Sequence, residues 1–203
     1  MNIFDQDNYI KRYNKRLKKF GYDPRSLGWG GGKERQYLRF EKTLDFSKFT
    51  SNSITSILDV GCGFGDLGHW LSINFPNIKY TGIDINSNLI KLGKEKFKLD
   101  LSQNSVLNYK SNSFDLVVSN GIFNAKLNSV DQLQHLDTYL KCLFSISRFG
   151  IVSDFMSKYV DFQHPDSYHT IEQDVIDIFK KFTKRYLIRN DYLDYEFMLY
   201  LFK

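Results

Sequence analysis

Two carboxylates and four glycines crowd one short stretch of the chain, ILDVGCGFGDLGHWL, Ile57 to Leu71. Asp59 lies near the end of an apolar run, Gly61, Gly63 and Gly65 alternate behind it, and Asp66 follows at once. The pattern reads as a buried strand, a tight turn and a helix. Gly63, Gly65 and Gly68 also fit G-x-G-x-x-G, the spacing that seats a pyrophosphate on a helix N-terminus. The charges oppose that use. Asp59 and Asp66 would repel two phosphates, and the strand runs directly into Gly61, two residues before that spacing begins. A cationic ligand suits the pair better. A second apolar run, KYTGIDIN, brings Asp84 to its end, 25 positions after Asp59. A carboxylate there can accept both hydroxyls of a ribose; its plainer role would be to cap the helix of NSNLIKLGKEKF.

S-adenosylmethionine (SAM) carries a sulfonium, an ammonium and one carboxylate, and no phosphate. Glycines at 61, 63 and 65 let a backbone approach such a ligand where a Cβ would clash. Asp59 can orient the loop amides or pair with the ammonium. In QYLRF, Gln36 and Arg39 lie three apart on one helical face, and Arg39 is the natural partner for the one anionic group.

DVGCGFGDLG, GIDIN, FDLVVSNGIFN and a closing pair of strands together resemble a class I SAM-dependent methyltransferase, over residues 29–203. With LGWGGGKERQYLRFE, SNGIFNAKL and RNDYLDYEFMLYLFK added, the chain is similar to a narrower group of small bacterial methyltransferases, some serving polysaccharide or small-metabolite modification. The resemblance implies that Gly61, Cys62, Gly63, Gly65 and Asp66 surround the methionine part. It gives Asp84 the ribose hydroxyls and Ile85 the adenine face. Asn104–Ser105 stand where the family usually offers Gly-Asp to the adenine, which leaves that hydrogen bond open. Ser119, Asn120 and Gly121, after the fourth strand, would lie near the sulfonium. Trp29 belongs to a lid, and the product would be S-adenosylhomocysteine (SAH).

Methyl transfer to a hydroxyl needs alignment and a base for the acceptor's proton. The richest supply is DFMSKYVDFQHPDSYH, which holds Asp154, Tyr159, Asp161, His164, Asp166 and His169. Histidine titrates near neutrality, so His164 and His169 lead as bases, with Tyr159 beside them. Asn124, Asp154 and Asp161 are expected to contact the acceptor. Loop polarity alone would also explain these residues. No complete metal-ligand set is visible, so no metal is expected. SNGIF lacks the Asn/Asp-Pro-Pro-Tyr/Phe signature of amino-group methylation on bases, which argues against a nucleic-acid substrate.

These residues need elements to position them. Strands are expected at SILDV, KYTGID, LDLSQ, FDLVVSN, GIVSDF, KRYLIR and EFMLYLF, with helices between them beginning near Gly65, Asn86, Val130 and Glu172. Buried runs alternating with helices predict a mostly parallel sheet with helices on both faces. The last two strands are too close for a crossover helix and should form an antiparallel hairpin. The expected fold is α/β, Rossmann-like, with seven strands. One domain over residues 1–203 is expected, with a helical lid over 1–50 and the core over 54–203.

The chain of 203 residues is 42% hydrophobic and carries a net charge of +5. Lys11, Arg12, Lys15, Arg16, Lys18 and Lys19 fall within nine residues, interleaved with Ile10, Tyr13, Leu17 and Phe20 at helical spacing. That is an amphipathic helix with a solvated basic face; attraction of an anionic substrate or of RNA is its other reading. Two cysteines without partner spacing, no signal-peptide core and no membrane span place the chain in the cytoplasm. The expected activity is O-methylation of a small polar or anionic metabolite, such as a sugar, nucleotide sugar or phosphorylated precursor of surface polysaccharide. An RNA methyltransferase and a SAM-binding protein without catalysis are its rivals.

Overall fold

The protein was analysed as a computed structural model that describes residues 6–128 and 131–203. By internal contacts it divides into two compact units, Gln6–Asn108 and Tyr109 to Lys203.

The first unit opens with helix α1 (Gln6–Phe20) and helix α2 (Gly32–Leu44), joined by a loop with a short 3-10 turn over Pro24–Leu27. It continues with β1 (Ser56–Val60), α3 (Asp66–Asn74), β2 (Lys79–Asp84), α4 (Ser87–Lys96) and β3 (Leu101–Gln103). β1 pairs parallel with β2, setting Asp59 beside Gly82, and β2 pairs parallel with β3. Ile57, Leu58 and Ile83 are fully enclosed. Their β-branched and apolar side chains suit a strand covered on both faces.

The second unit holds β4 (Phe114–Ser119), α5 (Gln132–Ile146), β5 (Ser147–Met156), α6 (Glu172–Phe179), β6 (Tyr186–Arg189) and β7 (Glu196–Phe202). β4 and β5 are parallel, whereas β7 runs antiparallel to both β5 and β6. The expected terminal hairpin is therefore present, and β7 lies between β5 and β6. All seven residues of β7 are buried, so EFMLYLF reads as a continuous apolar run because it is an interior strand. Phe155 stacks on Phe123 at 5.2 Å and on Phe197 at 5.0 Å, locking the loop after β4 onto β5 and β7. Each such pair contributes about 1 kcal/mol beyond its buried area.

The strands form one seven-stranded sheet in the order β3-β2-β1-β4-β5-β7-β6, the α/β Rossmann-like arrangement the sequence predicts. Helix starts agree closely with expectation: α3 begins one residue after Gly65, α4 one after Asn86, and α6 at Glu172. The expected start at Val130 lies outside the described residues, and α5 begins at Gln132, capped by Asp131. No helix among the described residues is long and apolar enough to cross a membrane.

Candidate active site

In the first unit, β1 ends in a turn made of backbone groups. Gly61, Gly63 and Gly65 all take left-handed φ, at 76°, 57° and 82°, where any other residue is strained. The Gly61 and Cys62 amides donate to the Ile83 carbonyl at 2.8 and 3.0 Å, tying the turn to the end of β2. The Gly63 amide donates to Oδ2 of Asp84 at 2.9 Å, and the Asn86 amide to its Oδ1 at 2.8 Å. Asp84 therefore joins the two strand ends. It is not the cap of α4; that role belongs to Asn86, whose Oδ1 accepts from the Asn88 amide. Burial raises the Asp84 pKa, while amides of Asn86, Gly63 and Ile85 hold it down.

Asp59 is enclosed and accepts a hydrogen bond from the Tyr80 hydroxyl at 2.7 Å. Burial lifts its pKa to about 7, Tyr80 opposes the rise, and the charges of Asp84 and Asp66 add to it. Two glycines make room for the tyrosine. A Cβ on Gly68 would come within 2.3 Å of the Tyr80 ring, and one on Gly82 within 2.7 Å of its hydroxyl. The last glycine of the apparent G-x-G-x-x-G is thus explained by packing. Cys62 is buried, which pushes its thiol up and keeps it protonated.

Asp66, at the start of α3, accepts from the Tyr22 hydroxyl and is hydrogen-bonded by Gln36. These bonds oppose the rise in its pKa that burial causes. Gln36 and Arg39 are both 2% exposed. The Arg39 guanidinium lies 4.4 Å over the Trp29 ring and donates to the Arg35 carbonyl at 3.2 Å. Ile85 is half-buried. Oδ1 of Asn104 accepts from the Ser105 amide and from Asn108, so it serves its own turn.

Nothing in the linear pattern signals what α1 covers. Oδ1 of Asn14 accepts from the side-chain amides of Asn86 and Asn88, at 3.0 and 3.1 Å. Tyr9 and Tyr13 are hydrogen-bonded to one another, and both feel the charge of Asp84, although burial is the larger reason their hydroxyls are pushed up. A Cβ on Gly63 would meet Leu27 at 2.8 Å. The tyrosine spacing of α1 marked an apolar face without naming what that face packs on. Its Lys11, Lys15, Lys18 and Lys19 are exposed, as expected.

In the second unit, β4 ends at Ser119, whose hydroxyl is 2.7 Å from that of Ser153. Asn120 follows, half-buried, and Gly121 turns at φ 85°. The Gly121 amide donates to Oδ1 of the fully buried Asp154 at 2.5 Å. Asn124 also donates to Asp154, accepts from the Met156 amide at 2.8 Å, and accepts the Tyr168 amide on its carbonyl. Asn124 and Asp154 thus hold the loops after β4 and β5 together.

The base candidates separate clearly. Tyr159 is 73% exposed, and Asp161 and His164 are exposed as well. Nδ1 of His164 accepts from the Asp166 amide at 3.2 Å. His169 is 7% exposed, with Nδ1 2.8 Å from the Ser157 carbonyl. Its Nε2 is buried and has no hydrogen-bond partner among the described residues. No group of three or more His, Cys, Asp or Glu side chains among the described residues is arranged to hold a metal ion.

A family model described as a methyltransferase domain matches residues 51–183. The chain belongs to that family. The methyltransferase is 28% identical over 150 residues to a methyltransferase-family protein of Mycobacterium tuberculosis, covering 71% of this chain and 90% of that one. It is 31% identical over 107 residues to a malonyl-[acyl-carrier protein] O-methyltransferase of Ilyobacter polytropus, covering 49% of this chain and only 41% of that one. Among solved structures it is similar to magnesium protoporphyrin IX methyltransferase of Synechocystis PCC 6803 with bound SAM. That match has a TM-score of 0.66 at 14% identity and covers 98% of each chain. The methyltransferase has the class I fold, and the solved structure it resembles holds SAM.

Proposed function

We propose that the methyltransferase transfers a methyl group to a hydroxyl of a small polar metabolite, with His169 as general base. The observation that carries this reading is the state of the His169 ring. A carbonyl oxygen can only accept, so the bond to Ser157 fixes the proton on Nδ1 and leaves a lone pair on Nε2. A buried acceptor without a partner is costly, and a substrate hydroxyl would supply that partner. His169 would then take the hydroxyl proton on Nε2. His164 and Tyr159 lack this enclosure.

The glycine turn fits SAM. Three left-handed glycines give a turn without side chains of its own, and the buried guanidinium of Arg39 suits the carboxylate of the methionine part. Asp59, with a pKa of about 7, can meet the ammonium as a carboxylate. Asp84 spends three acceptor sites on the amides of Gly63, Ile85 and Asn86 and keeps one for a ribose hydroxyl. Ile85 offers an apolar edge to the adenine and Asn104 its NH2 group. This reading gives the remaining cofactor positions to Gly61, Cys62, Gly65, Ser105, Ser119, Asn120 and Gly121 and leaves Asp161 for the acceptor, whereas Asn124 and the fully buried Asp154 serve the loops instead. Gln36 and Asp66 support the turn through their mutual bond, and Trp29 supports Arg39. When bound, SAM supplies a methyl group on a cationic sulfonium and leaves as SAH.

Residues before 50 would act as a lid, with α1 latched by Asn14 and seated by Leu27 on Gly63. The acceptor class we favour is a sugar, nucleotide sugar or phosphorylated precursor of surface polysaccharide, in keeping with the net charge of +5. Two free thiols fit a cytoplasmic setting. The test is SAH titration followed by a methyl-transfer screen over nucleotide sugars and phosphorylated metabolites. His169→Gln is expected to lower kcat by a factor of about 100 to 10,000 while leaving SAH affinity unchanged. A chain that binds no SAH defeats the whole reading; an unchanged kcat defeats the role of His169 alone.

A further inference from the structure

We infer that the cleft between the loop after α1 and the start of α2 is a binding site for the phosphate or diphosphate group of a small molecule. The cleft measures about 520 Å³ and is lined by Tyr22, Asp23, Pro24, Arg25, Gly31, Gly32, Lys33 and Lys96. This size suits a metabolite. Its lining is electrostatically unbalanced. Lys33 and Lys96 both set their ammonium groups over the Tyr22 ring, at 5.5 and 4.1 Å from its centroid. The ring attracts both cations through its π face, but it carries no charge that could balance them.

The nearby carboxylates are already engaged. Asp23 takes both nitrogens of an Arg25 fork, at 2.8 and 3.0 Å, and accepts the Arg25 amide as well. Asp66 is bonded by Tyr22 and Gln36. Among the described residues neither lysine makes an ion pair with a carboxylate, although Lys33 acts at longer range on Asp23 and Asp66. With those carboxylates engaged elsewhere, the cations drawn together in this concavity repel one another, and an anion between them removes that cost.

The backbone adds donors. Gly31, the residue before α2, makes no side-chain cap, so the first amides of α2 have no acceptor within the helix. Gly31 and Gly32 take left-handed φ of 79° and 72°, and nothing lies within 4 Å of the position a Cβ would fill on Gly30 or Gly32. A bulky anion can therefore approach the amides directly. The run of Gly30 to Lys33, which the proposed methyl-transfer chemistry does not use, has a role in this arrangement. Phosphate oxygens, with three acceptors and spread charge, match two ammonium groups and a row of amides better than a single carboxylate does.

The test uses the full chain and inorganic pyrophosphate, titrated calorimetrically at low ionic strength, with sulfate and SAH titrated in parallel. Pyrophosphate is expected to bind and to weaken as salt screens the lysines. Lys33→Ala and Lys96→Ala should each weaken it about fivefold, the upper range for an exposed ion pair, and together about twentyfold. SAH affinity should be unchanged in both variants, which separates this site from the cofactor reading. Absence of pyrophosphate binding overturns the proposal. So does equal binding of sulfate and pyrophosphate that neither substitution alters, which would mean an unspecific ion atmosphere. A single-stranded RNA that binds through these lysines while pyrophosphate does not would assign the cleft to nucleic acid and likewise overturn it.

Discussion

Replacing Asp59 with asparagine probes the most strained charge at the cofactor turn. Asp59 is 4% exposed, and its pKa is lifted to about 7 chiefly by burial. In the unfolded chain the same carboxyl titrates near 3.9. Between those two values the folded protein holds a proton that the unfolded chain has released, so stability falls as pH rises. The contribution is fully present below about pH 4 and is lost as pH passes 7. Each pH unit inside that window costs about 1.4 kcal/mol, so the wild-type protein loses about 3 kcal/mol through this group between pH 5 and pH 8. Asp59→Asn removes the titration and keeps an oxygen for the Tyr80 hydroxyl. Asp66 and Asp84 titrate in both proteins, and only their coupling to Asp59 differs between the two. Urea unfolding at the two pH values should therefore show the variant's relative stability growing by about 3 kcal/mol toward the higher pH. A difference that stays constant to within about 1 kcal/mol would mean that Asp59 is ionised throughout, and the reasoning would fail. With SAH, the sign reverses. The variant should bind more weakly, because the ammonium then meets no carboxylate.

Three further outcomes are expected. Gly63→Ala forces a side chain onto a residue at φ 57° and against Leu27, so thermal unfolding should show a loss of about 1–2 kcal/mol together with weaker SAH binding; an unchanged Tm would contradict the turn geometry. Asp84→Asn can no longer accept from both the Gly63 and Asn86 amides through two oxygens, and calorimetry should show SAH affinity reduced about 10- to 100-fold. Asn14→Ala removes the acceptor that Asn86 and Asn88 share, so hydrogen exchange in α1 should quicken by about fivefold; unaltered exchange would rule out Asn14 as the latch of a lid.

The strands and helices were legible because their signals are local. SILDV, KYTGID and EFMLYLF each carry a continuous apolar run, and Gly65, Asn86 and Glu172 mark where helices start. The glycine turn was legible for the same reason, since left-handed φ at Gly61, Gly63 and Gly65 demands glycine wherever it occurs. Tyr80 was not legible as the partner of Asp59. Their contact depends on the β1–β2 register and on the space left by Gly68 and Gly82, which are distant in sequence from Asp59 or from each other. Asn124 and Asp154 are expected from the sequence to contact the acceptor, and the fold spends them on joining two loops.

The sequence by itself determined the class of protein and the chemistry of its donor. Asp59 and Asp66, on either side of the Gly61–Gly65 turn, suit a cationic ligand there better than a pyrophosphate. Tertiary structure separates side chains that the sequence leaves equivalent. His164 and His169 are five positions apart on one loop and identical as residues. Only His169 is enclosed with Nδ1 committed to a carbonyl and Nε2 left bare. Enclosure and tautomer depend on what lies across space from a side chain, and a linear pattern does not record that.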